Sequence, residues 1–88
     1  MGFDPEKDSE LLKALSNPLR LKIVSGLLHH DGCNVSKIMA KLGISQSNAS
    51  QHLSILRRAG ILTAHRKGTM TCFSVTDKRA VRILQALK

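Results

Sequence analysis

Aromatic side chains are almost missing from this chain: it has two Phe, no Tyr and no Trp in 88 residues. Proteins that hold single strands or RNA loops stack bases on Phe, Tyr or Trp, so this scarcity argues against that kind of platform. Cysteine is scarce too. Two residues, Cys33 and Cys72, do not make a disulfide framework, and a reducing, cytoplasmic setting is the simpler expectation. Only two Pro interrupt a regular apolar spacing, which excludes a disordered tail. No apolar run approaches the roughly 18 residues that a membrane span needs, so no membrane partner is expected. The opening segment, Gly2-Phe3-Asp4-Pro5-Glu6, is acidic where a secretory or transit peptide would be basic, so no targeting segment is expected. Glu6 stands where a myristoylation motif requires Ser or Thr.

Acidic residues are the other scarcity. Six Asp and Glu face fourteen Lys and Arg, for a formal charge of +8. Four of the six lie in residues 1–10, which carry a net −3, so residues 11–88 carry +11 with Asp31 and Asp77 as their only acids. A compact domain with that excess attracts polyanions. With stacking residues absent, duplex DNA is the leading one.

The chain is long enough for one domain and one small core, built from Leu, Ile, Val and Ala. Asp4-Pro5 predicts the start of a first helix with an apolar stripe of Leu11, Leu12 and Leu15. Asn17-Pro18 repeats the signal for a second, whose Leu19, Ile23, Val24, Leu27 and Leu28 recur at helical spacing until His29-His30-Asp31-Gly32. Asn34 is the expected cap of a third helix, with Ile38, Met39 and Leu42 inward and Gly43 as its stop. Ser45 caps a fourth that runs to about Ala59, with Ala49, Leu53 and Leu56 inward. After Gly60 the period changes to two. Residues 61–65 and 71–75 read as short strands around a tip, Arg66-Lys67-Gly68-Thr69. Thr76 is the expected cap of a last helix containing Ala80, Val81, Ile83, Leu84 and Leu87.

The expected fold is therefore mostly α with a small β-hairpin, a winged helix-turn-helix in the order α-α-α-α-β-β-α, forming one domain over 1–88. The helix-turn-helix spans about 34–59 around the short Gly43-Ile44 turn, and the wing spans about 61–75.

Residues 44–56 carry no charge, counting His52 as neutral. With Ala49, Leu53 and Leu56 buried, Gln46, Ser47, Asn48, Ser50 and Gln51 point outward near the helix start. Gln and Asn pair bidentately with adenine in the major groove, and Ser bonds bases or phosphates. An ordinary solvent face is the plain alternative, but such faces are rich in Lys and Glu. Lys37, Lys41, Arg57 and Arg58 stand at the edges to hold phosphates. Arg66 and Lys67 at the wing suit phosphate or minor-groove contact, against the plain reading of a solvated turn.

Other constellations are thinner. His29, His30 and Cys33 are metal-ligand types, but adjacent helical residues diverge by about 100°, so the two imidazoles do not face one ion on a regular helix. A polar helix end is the simpler reading, and no cofactor is expected. Cys33 and Cys72 would form a redox switch only if the fold brought them together, which nothing in the sequence requires. His52, between inward Ala49 and Leu53, reads as a partly buried packing residue. No nucleophile elbow, phosphate loop or carboxylate pair supports an enzyme.

Residues 12–23, LKALSNPLRLKI, resemble the N-terminal segment of the ArsR/SmtB transcriptional regulators. Residues 42–53, LGISQSNASQHL, together with Leu56-Arg57 and Ala59-Gly60-Ile61-Leu62, are similar to that family's recognition helix, and Arg66-Lys67-Gly68 is similar to its wing. The resemblance covers roughly residues 8–80. It implies a homodimeric repressor that binds a near-palindromic operator and leaves it on a signal. It assigns major-groove contacts to Gln46, Ser47, Asn48, Ser50 and Gln51, wing contacts to Arg66 and Lys67, and the dimer interface to helices at about 5–16 and 77–88. It does not extend to the family's metal sites. Asn34-Val35-Ser36 stands where a Cys-x-Cys is usual, Cys33 comes one position early, and Arg79 stands in place of a His. A winged-helix interaction module that does not read DNA is the alternative function.

Overall fold

The computed structural model describes residues 2–88; Met1 lies outside the described residues. Helix α1 spans Pro5–Leu15, and the Asp4 side chain accepts from the Glu6 and Lys7 amides at its start. Helix α2 spans Pro18–His29, capped in the same way by Asn17 on the Leu19 and Arg20 amides. Both caps pair an Asx side chain with Pro at the first helical position, where the missing N–H costs nothing. A 3-10 turn, Gly32–Asn34, leads into α3, Val35–Lys41. Helix α4 spans Gln46–Arg58, strands β1 and β2 span Leu62–Lys67 and Met70–Val75, and α5 spans Lys78–Ala86.

The turn between α3 and α4 is possible because Gly43 takes φ +71°, a conformation that costs a side chain-bearing residue energy. The Ile44 amide then donates to the Met39 carbonyl, and Ile44 is buried. This fixes the angle at which α4 leaves α3. The two strands form an antiparallel pair from Leu62↔Val75 to Lys67↔Met70. Helices and hairpin share one core, centred on Ile23, Val24, Leu56, Ile61 and Ala80, none of them exposed to solvent. At roughly 1.5–3 kcal/mol for each large apolar side chain buried, this core is what holds the helix-turn-helix and the hairpin root together.

Several expectations need correction. Asn34 precedes α3 but its side chain makes no cap hydrogen bond; the cap goes to Asp31, which accepts from the Cys33 amide one turn earlier. Asp77, not Thr76, caps α5, by accepting from the Arg79 amide at 2.8 Å. Arg66 and Lys67 belong to β1 rather than to the tip, which shrinks to Gly68-Thr69. Leu12 is 55% exposed and Leu28 is also at the surface, while Ala14 takes the inward place on α1. No helix among the described residues is long and apolar enough to cross a membrane.

Candidate nucleic-acid interface

The start of α4 is built by Ser45. Its Oγ accepts from the Asn48 amide at 3.3 Å and lies 3.4 Å from the Ser47 hydroxyl. Ala49, Leu53 and Leu56 are buried against the core, which turns Gln46, Ser47, Asn48, Ser50 and Gln51 to solvent. Among the described residues, no hydrogen bond engages the side chains of Gln46, Asn48, Ser50 or Gln51. The face therefore offers amide donors and acceptors that are free to pair with base edges.

The cations expected at the edges of this face have no carboxylate partners. Among the described residues the only ion pairs meet at Arg79, which reaches Asp8 on α1 and Asp77 at 3.6 Å. Lys37, Lys41, Arg57, Arg58, Arg66 and Lys67 are all exposed and stand outside them. Such unneutralised charge is what phosphate contact requires. Arg66 and Lys67 lie opposite Thr71 and Met70 in the hairpin, which projects them beyond the core.

Two features escaped the sequence reading. Arg20 on α2 donates through Nε to the Ala14 carbonyl at 2.5 Å, reaches the Lys13 carbonyl at 3.5 Å, and lies 3.3 Å from His52 Nδ1. One guanidinium thus ties the end of α1 to the outward helix α4. His52 is half-buried, as expected of a packing residue, but it also has this polar partner. The second feature is a disulfide between Cys33 and Cys72, 39 residues apart in sequence. Nothing local to either cysteine announces the contact, because it exists only once the hairpin folds back on the turn before α3. Gly32 makes the approach possible: a Cβ there would sit 1.7 Å from the Phe73 carbonyl oxygen. With Cys33 Sγ so engaged, a metal site drawn from His29, His30 and Cys33 would require that bond to be broken first, and no cluster of three metal-ligating side chains occurs among the described residues.

Asp8 and Arg79 join α1 to α5. The Arg79 guanidinium, hydrogen-bonded to the Asp8 carboxylate, holds Asp8 below the ordinary carboxylate range, and the same bond holds Arg79 above its usual value.

This architecture is a winged helix-turn-helix: α3 and α4 form the helix pair, and β1 and β2 form the wing. The solved structure of NolR from Sinorhizobium fredii superposes with a TM-score of 0.85 at 34% identity, over 94% of this chain and 82% of that one. The homodimeric winged helix-turn-helix DNA-binding domain Mb0332 from Mycobacterium bovis superposes with a TM-score of 0.83 at 25% identity, over 94% and 76%. The transcriptional repressor PagR of Bacillus anthracis is 38% identical over 93% of this chain and 82% of its own length. Its crystal structure superposes with a TM-score of 0.85, covering 96% of this chain and 95% of that one. The sequence pattern described as "Bacterial regulatory protein, arsR family" matches residues 17–64, and with these relatives it establishes that the chain belongs to the arsR family of bacterial regulatory proteins.

Proposed function

We propose that the protein is a homodimeric transcriptional repressor that reads duplex DNA with α4 and steadies itself on the backbone with its wing. The observation that carries this is the uncharged, unengaged amide and hydroxyl face at the start of α4, bordered by cations that have no carboxylate partners. Gln46, Ser47, Asn48, Ser50 and Gln51 enter the major groove, Arg66 and Lys67 meet phosphates beside it, and no resident cofactor takes part. The relatives called repressors and the homodimeric neighbour support the regulatory and dimeric parts of the reading. Exposed apolar side chains on the outer helices, Leu12 of α1 and Leu87 after α5, suit burial in a second copy. Two recognition helices related by a two-fold axis sit one DNA turn apart, about 34–36 Å, on a near-palindromic operator. The cytoplasm, where the chromosome lies, is the place of action.

Titration of the purified protein against duplex from the region upstream of its own gene, beside a scrambled duplex of equal length, tests the reading. Tighter binding to the upstream duplex supports it. Equal affinity for both, at any salt concentration, removes the claim of sequence-specific reading.

A further inference from the structure

The Cys33–Cys72 disulfide occupies a mechanically exposed position. Cys33 lies in the turn that runs straight into α3, and Cys72 lies in the middle of β2. Across the hairpin, Cys72 faces His65, and β1 continues from there into Arg66 and Lys67. One covalent bond therefore joins the helix-turn-helix to the strand pair that carries the wing cations.

The core takes in Ile61 and Leu62 at the hairpin root, with Val75 packed beside them; farther along β2, Cys72 is buried and Phe73 is partly buried against the core. Among the described residues, no hydrogen bond crosses from the 3-10 turn to β2. A two-stranded hairpin is marginal by itself. The bond thus adds a covalent tie to the packing between the turn before α3 and the wing strand, with the Cys72 side of it buried.

We propose that Cys33 and Cys72 form a reversible thiol–disulfide site, reduced by a dithiol protein or a small thiol, whose state sets how firmly the wing is held against the helix-turn-helix. Through that tether it sets the affinity for duplex DNA, the oxidised form binding tighter; this second clause rests on the DNA-binding reading, and the tether itself does not.

Access orders the chemistry. Cys72 is 1% exposed while Cys33 is only partly buried, so an incoming thiolate meets Cys33 Sγ. Its sulfur bonds to Cys33, the Cys33–Cys72 bond breaks, and Cys72 leaves as a thiolate that takes up a proton. A second thiolate, from the same dithiol or from a second thiol molecule, then attacks the reductant's sulfur in the mixed disulfide, releases Cys33 as a thiolate to be protonated, and the two reductant sulfurs leave as a disulfide. Two electrons and two protons enter the pair, and the reductant loses the same. On the other face of β2, Thr71 and Phe73 share a groove with Val35 and Met39 of α3 and Gln46 and Ser50 of α4, so a shift of the wing strand alters the surroundings of the reading helix.

The test uses the full chain, oxidised with glutathione disulfide and then reduced with dithiothreitol, with alkylation and mass measurement counting free thiols in each state. Hydrogen exchange reads the tether. On reduction, amides of residues 62–75 and 32–35 should exchange faster, while those of the α2 core residues Ile23 and Val24 stay unchanged. Duplex from the upstream region should bind about threefold to tenfold more weakly after reduction, the scale of ordering a short mobile segment on binding. Cys33→Ser should hold both readouts at the reduced values under either treatment. Two alkylatable thiols after oxidation, or identical wing exchange in the two states, would overturn the site. Faster wing exchange with unchanged duplex affinity would overturn the coupling to DNA. If neither state binds any duplex, the DNA-binding reading fails and the exchange data still decide the tether.

Discussion

A single side chain on α4 separates reading from mere attraction. Gln46 is exposed, uncharged and free of intramolecular hydrogen bonds among the described residues, so its removal leaves the fold and the charge intact. Gln46→Ala should cost about 1–3 kcal/mol per half-site on the preferred duplex and little on a scrambled one, narrowing the ratio between them. Competitive anisotropy against both duplexes measures that ratio; equal losses on both would mean that Gln46 only docks. Gly32 makes a different demand. Its Cα lies so close to β2 that a Cβ would overlap the Phe73 carbonyl, a backbone atom that no rotamer change can move aside. Gly32→Ala should therefore push the turn away from the wing strand and destabilise the protein by about 1–3 kcal/mol. Urea unfolding under reducing conditions, where the disulfide contributes nothing, checks this; an unchanged midpoint would show that the turn relaxes freely.

At the scale of elements, caps were legible and distant contacts were not. Asp4-Pro5, Asn17-Pro18 and Ser45 announce α1, α2 and α4 because each cap acts on amides two or three residues away. The outward set on α4 follows from a period that needs no tertiary knowledge. Thr76 and Asp77 are both good caps, and the sequence does not choose between neighbours; the Asp77 carboxylate, accepting from the Arg79 amide, takes the role. Leu12 continues the apolar stripe of α1 yet stays exposed, because periodicity does not say whether a partner helix is in the same chain or in another. The Arg20 clamp depends on where three helices meet, and the disulfide on where β2 meets the turn before α3, which no local pattern encodes.

The Asp8–Arg79 pair is the side-chain link that the element scale adds, running from α1 to α5. Asp8 is held below its ordinary value of 3.8 chiefly by the Arg79 hydrogen bond. A carboxylate with a depressed folded value contributes stability above its unfolded value and loses it as pH falls through the folded one. The window is therefore acidic, below about pH 4, and neutral pH lies on its plateau. Arg79→Ala should raise the Asp8 titration midpoint, followed by carboxyl NMR, and should lower the melting temperature slightly at pH 7, by an amount that shrinks as the pH falls into the acidic window. The pair is open to solvent, so added salt should shrink the difference. A midpoint unmoved by Arg79→Ala would place the cause elsewhere in α1.

For the whole molecule, the separation of charge from reading has a numerical consequence. Residues 11–88 carry +11, while the reading face carries none, so affinity and discrimination should respond to different variables. Each phosphate contact contributes about 0.9 to the slope of log affinity against log salt on duplex DNA. In a two-fold dimer every contact occurs twice, so Lys67→Ala should reduce that slope by roughly 1.8, whereas a protein binding as a monomer would lose about 0.9. The loss should be the same on preferred and scrambled duplexes, because a phosphate carries no sequence. Affinity measured from about 50 to 200 mM salt, with the oligomeric state followed by light scattering in the same buffers, tests both halves. A slope change near 0.9 with a dimer in solution would mean that only one wing reaches the backbone, and an asymmetric complex would replace the symmetric one.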